Sequence, residues 1–397
     1  MSRYRGKYEA PKQARRSPKE PPVPAEPADQ PQEEQPDQAP KPKRRGWLIA
    51  FCCLIALTLL LGGLSVAVLL RGNRMRNQAG PDLTGMAQSI QTPSEEESET
   101  DPEPEEPVLE IIDSYTIRHD GVLYRYNEDV ITLLLLGVDE DSPDEAGAVN
   151  GNGVQADMIM LAIMDSKGGT IRFLTLSRDT YCEFSMLDET GAETGQGTGQ
   201  LALAFSYGDG RQSSCDNVRD AVSRLLYDIP IYSCSALYLD GLSVVNDALG
   251  GVTLTPSVTI PYSWPAITAG VETTLDAAMA EKYIRYREMT ETGNLERMER
   301  QKQYCAALFS QAVAAVKASP TKVLDLYRAL QSSLVTDLSL LDAAYLATQV
   351  TGMDFDGEIV SVPGEAILNE DNYVEFYPDR AALLDLILEY YFIPVES

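Results

Sequence analysis

The chain predicts an α/β fold in which a mixed central β-sheet is flanked by helices and preceded by one transmembrane helix. Three observations carry this reading. Short apolar runs recur from Val130 onward, segments with apolar residues three and four apart lie between them, and one uncharged run, Trp47 to Leu70, stands alone in the first hundred residues.

The apolar runs Ile131 to Gly137, Met158 to Met164, Ile171 to Leu176 and Ala236 to Leu239 read as strands buried on both faces. Helical spacing covers 216–226, 242–249, 275–283, 295–316, 338–351 and 380–391. Strands and helices in this order favour a sheet covered by helices. The run from Trp47 to Leu70 holds 24 residues without a charge. As a helix it reaches roughly 36 Å, enough to cross a ~30 Å hydrocarbon layer with some tilt. Its length and the polar leader before it favour an uncleaved anchor over a cleaved signal or a core helix.

Four regions follow. Residues 1–45 have the Pro, Gln, Glu and Lys composition of a disordered cytoplasmic tail. Residues 46–70 are the transmembrane helix and 71–108 an acidic, Pro-containing extracellular linker. Residues 109–397 form one extracellular domain. The orientation rests on basic residues, which resist translocation: 11 lie in residues 1–46, against Arg71, Arg74 and Arg76 just after the apolar run. Eight acids between Glu95 and Glu106 make the linker self-repelling and extended.

The domain carries 18 Lys and Arg against 44 Asp and Glu, a formal charge of −26. It repels nucleic acid and anionic headgroups, so a local cluster of cations within it points to a specific anion. His119 is the single histidine of the chain and precedes the core strands. That excludes a Ser-His-Asp hydrolase and a His-ligated zinc hydrolase. No Gly-rich phosphate loop precedes a helix. Cys182, Cys215, Cys234 and Cys305 have no zinc-site spacing, and the expected compartment permits one or two disulfides among them.

What remains is a set of aspartates and arginines. Asp139, Asp157 and Asp179 flank apolar strands, where carboxylates project into the crevice in which open sheets bind ligands. Oxygen ligands of this kind suit Mg²⁺ or Mn²⁺ bound together with a substrate phosphate. An Asp after a strand is also ordinary turn chemistry. Six of the domain's basic residues fall between Lys282 and Lys302. Arg285 and Arg287 are two apart and share a side in extended backbone. Arg297, Arg300 and Gln301 share a helix face. With Arg178 they could line a cationic pocket able to grip a pyrophosphate through bidentate contacts. The competing reading is a salt-bridged helix surface, and it is preferred for Lys282, Glu299 and Lys302.

Taken in order, these residues resemble the LytR-CpsA-Psr family of envelope phosphotransferases. The likeness runs over residues 109–397 and is carried by Gly137-Val138-Asp139, Asp157, Arg178-Asp179-Thr180 and Phe205 to Gly208. It continues through Asp240 to Leu254, Tyr283 to Arg287, and Arg297-x-x-Arg300-Gln301. The resemblance implies an apolar pocket for a polyprenyl chain beside a polar site for its pyrophosphate. It implies transfer of a glycopolymer, of teichoic acid or capsule type, from that carrier to peptidoglycan through a phosphodiester bond. Asp139 and Asp157 would then hold Mg²⁺ (or Mn²⁺). Arg178, Arg285, Arg287, Arg297, Arg300 and Gln301 would bind the diphosphate, with Arg178, Asp179, Arg285 and Arg287 closest to the chemistry. Polyprenyl pyrophosphate-linked glycan, peptidoglycan and the membrane are the expected partners, and nucleic acid is not.

The sequence departs from the family pattern at Gln155, usually Arg, and at Met158, usually Thr. Gln200 and Ala202 replace a usual Lys and Asn, Asn294 a usual Asp, and Ser177 a usual Pro. Hydrolysis of the same lipid, or binding it without turnover, are the alternatives these departures leave open.

Overall fold

The computed structural model describes residues 67–76, 80–86, 109–144, 153–188, 191–287 and 293–395. Residues 1–45, expected as a cytoplasmic tail, and most of the apolar run from Trp47 to Leu70 lie outside them. Among the described residues no helix is long and apolar enough to cross a membrane.

Strands β1 (Glu110–Asp113), β2 (Thr116–His119) and β3 (Val122–Tyr126) form an antiparallel meander. Then β4 (Val130–Val138), β5 (Ala156–Asp165) and β6 (Thr170–Leu176) run antiparallel to one another at the centre of the main sheet. A twisted hairpin, β7 (Tyr181–Leu187) with β8 (Glu193–Gln200), leads into helices α1 (Leu201–Ser206) and α2 (Gln212–Leu225). Strand β9 (Ser233–Tyr238) returns to pair parallel with β4 and feeds α3 (Leu239–Leu249). Next come the small pair β10 (Val252–Leu254) and β11 (Thr273–Leu275), then α4 (Ala277–Arg285), the long α5 (Gly293–Ala318) and α6 (Lys322–Ala329). Edge strand β12 (Leu334–Thr336), α7 (Leu340–Val350) and edge strand β13 (Ile359–Ser361) follow. The hairpin of β14 (Gly364–Leu368) and β15 (Val374–Pro378), helix α8 (Arg380–Tyr391) and β16 (Phe392–Val395) end the chain, with β16 paired to β3.

The main sheet has the order β12-β9-β4-β5-β6-β13 and is mixed, as expected. Both its faces are covered because side chains alternate across a strand. Leu134, Leu136, Leu161, Ile163 and Leu174 face a core shared with Val218 and Val222 of α2 and Leu384 and Ile387 of α8. Their neighbours Ile131, Leu133, Met160, Ala162 and Phe173 face Cys305 of α5 and Tyr345 and Leu346 of α7. A third cluster joins α4, α5, β10 and β11 through Leu254, Leu275, Met279, Tyr283 and Tyr304. Two helix ends show how the sequence sets boundaries. Gly250 adopts φ 77° and closes α3 by donating back to Asn246 and Asp247. Ser339 and Asp342 form a reciprocal capping box that starts α7.

The region expected as linker does not run uninterrupted from 71 to 108. Residues 67–76 are helical and lie on α7: Gly72 sits so close to the Tyr345 ring that a Cβ would meet it, and Met75 is buried. Further on, Leu83 and Met86 enter the sheet core. The Arg71 guanidinium grips the fully buried Asp342 carboxylate with both oxygens, at 2.6 and 3.1 Å. Burial opposes ionisation of Asp342, but Arg71 and Ser339 outweigh it and hold the carboxyl below its usual range. The ion pair therefore stabilises the fold above the ordinary Asp range, near ~4. That contribution is lost as pH falls through the depressed folded value. Arg71→Ala is expected to cost about 2–3 kcal/mol at pH 7, since Arg71 is partly exposed and a fully buried pair would cost more. Urea unfolding of the full chain at pH 7 and at pH 3 checks this, with the difference from the parent protein shrinking at the lower pH.

The four described cysteines are unpaired thiols, so the disulfides the sequence permits are not formed among them. Burial of Cys215, Cys234 and Cys305 suits small hydrophobes.

Candidate functional site

The site lies where β4 and β6 end and the antiparallel β5 begins. Strands β4 and β5 pair residue for residue until Gly137 opposite Met158, after which Val138 opposes Ala156. Asp157 is thus the extra residue of a β-bulge, a device that re-aims a side chain at a sheet's end. Gly137 permits it, because a Cβ there would come within 3.1 Å of the Met158 Cβ. Asp139 follows β4 at the same end. The two carboxylates leave neighbouring strands side by side.

Arg178 stands in the turn after β6, where Thr180 N donates to Ser177 O at 3.1 Å and Asp179 N to Ser177 Oγ at 3.2 Å. Ser177 thus serves the turn that a proline would otherwise preset. The Arg178 guanidinium donates to Asp157 Oδ1 and to Gln155 Oε1. Its Nε lies 3.7 Å from Asp179 Oδ1. Gln200, at the end of β8, donates to Asp179 Oδ1 at 3.1 Å and to Val374 O at 2.7 Å. Two of the residues that depart from the family pattern are therefore direct partners of Arg178 and Asp179.

From the other side α5 brings Arg297, whose Nη1 is 4.0 Å from Asp157 Oδ2. Its Nε is buried with no acceptor among the described residues. A buried guanidinium N–H without an acceptor is uncommon and marks a place for one. Burial pushes the Asp179 carboxyl above its ordinary range, with Asp157 adding to the effect and Arg178 and Arg297 opposing it. A carboxylate whose proton affinity is raised in this way is a better proton acceptor than an ordinary one.

Arg285 is the last residue of α4, not part of an extended segment, so it and Arg287 do not share a face by strand alternation. Arg285 reaches Asp139 at 3.5 Å and Glu281 at 2.9 Å and is half exposed. Arg287 is exposed just beyond the helix. Arg300, like Arg297, has a buried Nε with no acceptor among the described residues. It is buried, donates to the Tyr286 carbonyl and lies 5.2 Å over the Tyr286 ring, which places it as a prop for the segment that carries Arg285 and Arg287. Gln301 donates weakly to Ile284 O, at 3.4 Å, and faces a cleft.

That cleft was not legible as a pocket, because its walls read as core strand. Met158, Met160 and Leu176 of the sheet and Met298 of α5 line it together with the polar Asp157, Arg178, Glu299, Gln301 and Lys302. A cleft with a methionine-rich lining thus meets the Arg178 guanidinium. Flexible methionines line it, and such side chains adapt to the shape of an apolar guest.

Among the described residues no group of three or more His, Cys, Asp or Glu is gathered as a metal centre. Asp139 and Asp157 supply only oxygens from two carboxylates. That set fits an ion such as Mg²⁺, which takes its remaining ligands from phosphate and water, and does not fit a zinc site.

The LytR_cpsA_psr family model matches residues 84–386. The chain belongs to that family. Its match begins at Thr84, between the buried Leu83 and Met86, and so includes residues 84–108 of the region first assigned to the linker. The chain is 27% identical over 257 residues to the polyisoprenyl-teichoic acid–peptidoglycan teichoic acid transferase TagU of Halalkalibacterium halodurans, covering 64% of this chain and 76% of that protein. The structure of TagV from B. subtilis aligns over 65% of this chain and 94% of its own, at 20% identity and a TM-score of 0.50. That of gbs0355 from Streptococcus agalactiae aligns over 65% and 85%, at 20% identity and a TM-score of 0.52. These two likenesses establish a shared fold.

Proposed function

We propose that this LytR-CpsA-Psr protein is a cell-envelope transferase that moves a polyprenyl pyrophosphate-linked glycopolymer, of teichoic acid or capsule type, onto peptidoglycan. One observation carries the reading: a methionine-lined cleft includes Asp157 and Arg178 in its wall, and beside Asp157 stands Arg297, whose buried Nε has no acceptor among the described residues. A ligand with a long apolar chain joined to a diphosphate satisfies both halves at once. The relationship to TagU, a teichoic acid transferase, supports the same class of substrate.

In this reading a sugar hydroxyl of peptidoglycan attacks the phosphorus that bears the glycopolymer. The bond from that phosphorus to the bridging oxygen breaks, and polyprenyl phosphate departs. The hydroxyl proton passes to the Asp179 carboxylate. Arg178 and Arg297 hold the diphosphate and neutralise charge as it builds on the phosphoryl oxygens, and Arg285 and Arg287 approach from the end of α4. Phosphoryl transfer depends mainly on positioning and on such neutralisation, work that needs no histidine. Mg²⁺, or Mn²⁺, held by Asp139 and Asp157 would supply further neutralisation of the diphosphate. Gln155 and Gln200 keep Arg178 and Asp179 oriented where the family more often has cations.

The anchor is the run from Trp47 to Leu70, with the N-terminus cytoplasmic and the catalytic domain outside. The packing of residues 67–76 on α7 would then hold the domain close to the membrane, within reach of a lipid carrier.

The test is incubation of the full chain with polyprenyl pyrophosphate-linked saccharide and peptidoglycan fragment, with and without Mg²⁺, followed by mass spectrometry. A glycan joined to peptidoglycan by a phosphodiester establishes transfer. A free phosphorylated saccharide would make the protein a hydrolase instead. Bound but unchanged lipid would make it a binding protein.

A further inference from the structure

The loop between β10 and β11 holds the two most exposed aromatic side chains among the described residues. Tyr262 is 99% and Trp264 95% exposed. The loop that carries them is built firmly. Ile260 and Ile267 on either side are buried in the third core cluster and joined by Ile260 N to Ile267 O at 3.0 Å. Ser263 Oγ donates to Ile260 O at 2.8 Å and accepts from Ile267 N at 2.9 Å, closing the turn from within. Tyr262 takes a left-handed φ of 57°, which a bulky residue seldom adopts, and this aims its ring away from the domain.

Large aromatic surfaces held in water by a closed turn contribute nothing to the core, so such a pair calls for a ligand. The position of the loop says which. Lys282 Nζ donates to the Tyr262 carbonyl at 2.5 Å, fastening the loop to α4. Lys282 lies one helical turn before Arg285, a separation of about 5–6 Å on the helix surface. Arg285 in turn reaches Asp139. The loop is therefore fastened to the helix that ends at Arg285. A domain of charge −26, with Lys282 the one cation bonded to this loop among the described residues, is poorly matched to an anionic bilayer surface. A sugar ring is well matched, because its C–H face packs on the electron-rich face of an aromatic ring while its hydroxyls stay in water.

We propose that Tyr262 and Trp264 form a stacking platform for sugar rings of the glycan being joined at the arginine site. This rests on the reading of that site as one for a lipid-linked glycan. The sugar could belong to the peptidoglycan acceptor or to the saccharide carried by the lipid, and the two can be told apart.

The chain contains two tryptophans, Trp47 and Trp264. In full-length Trp47→Phe protein held in lipid nanodiscs, Trp264 is the only indole and its emission reports on the loop. Titration with soluble peptidoglycan glycan strands, and separately with the phosphorylated saccharide freed of lipid, is expected to give a saturable blue shift with one of them. A response to the strands marks an acceptor subsite, and a response to the saccharide a donor subsite. Trp264→Ala and Tyr262→Ala should each weaken binding of that glycan by about tenfold in calorimetry, and Trp264→Phe, which keeps a ring, should restore most of it. Emission that shifts on moving from detergent to nanodisc and ignores both glycans would overturn the proposal in favour of bilayer contact. No response to any of them would overturn it outright. Binding here needs no turnover: glycan stacking without transfer would sink the enzymatic reading alone, and transfer with unaltered KM in Trp264→Ala would sink the platform alone.

Discussion

Replacing Arg178 with alanine is expected to slow release of polyprenyl phosphate from a lipid-linked saccharide by about 10³-fold, a loss of about 4 kcal/mol in transition-state stabilisation. No other side chain of the site makes as many contacts in it. Its guanidinium donates to Asp157 and Gln155 and approaches Asp179, so it fixes the bulge carboxylate and faces the transferred group together. Removing it also leaves Asp157 with Arg297 alone, at 4.0 Å. Arg178→Lys keeps the charge without the planar fork and should recover only part of the rate. Arg285→Ala and Arg287→Ala should lower the rate by smaller factors, because both side chains are exposed and better screened. The measurement is single-turnover product formation, with circular dichroism to show that each variant is folded. Undiminished activity in all three alanine variants would remove the arginines from the mechanism.

The second large effect is expected at Asp179. Asp179→Asn should lower the rate by at least ~10²-fold if its carboxylate takes the hydroxyl proton. The same substitution should raise stability at neutral pH. Because the folded-state pKa of Asp179 is raised, the folded protein binds the proton more tightly than the unfolded chain. The group therefore favours folding below the unfolded Asp value, and that contribution is lost as pH rises through the raised folded value. At pH 7 the parent protein buries a charge that asparagine does not carry. In the parent, activity should fall as pH drops through the raised value, and the Asn variant should lose that acid limb. Thermal unfolding and a pH–rate profile test the two halves separately. A variant that is both less stable and fully active contradicts the assignment.

Much of the fold was legible because burial leaves a period in the sequence. Strands β4, β5, β6 and β9 lie where uninterrupted apolar runs predict them, since a strand covered on both faces has no polar side. Helices α2 to α5, α7 and α8 follow the three- and four-residue spacing. The hairpins β7–β8 and β14–β15 were not legible, because Glu193–Gln200 is polar and glycine-rich and Gly364–Leu368 is exposed throughout, so neither carries a buried face to mark it. Leu83 and Met86 escaped notice for a related reason: two apolar residues within a long polar stretch carry no period.

For the site, the sequence by itself determined which residue types were available: aspartates at strand ends, arginines gathered in one stretch of an acidic domain, and no histidine to compete for the chemistry. Only the tertiary structure decided how they are used. It turned Asp157 outward on a bulge, placed Arg178 between Asp157 and Asp179, and brought Arg297 across from α5 with a buried donor unmatched. It also withdrew Arg300 beneath Tyr286 and ended a helix at Arg285, where alternation alone had suggested a shared extended face. The physical reason is one of range. Periodicity reports the local face a residue presents to the core, whereas a charged side chain is directed by partners far along the chain, as Gln200 is by Val374 and Arg71 by Asp342.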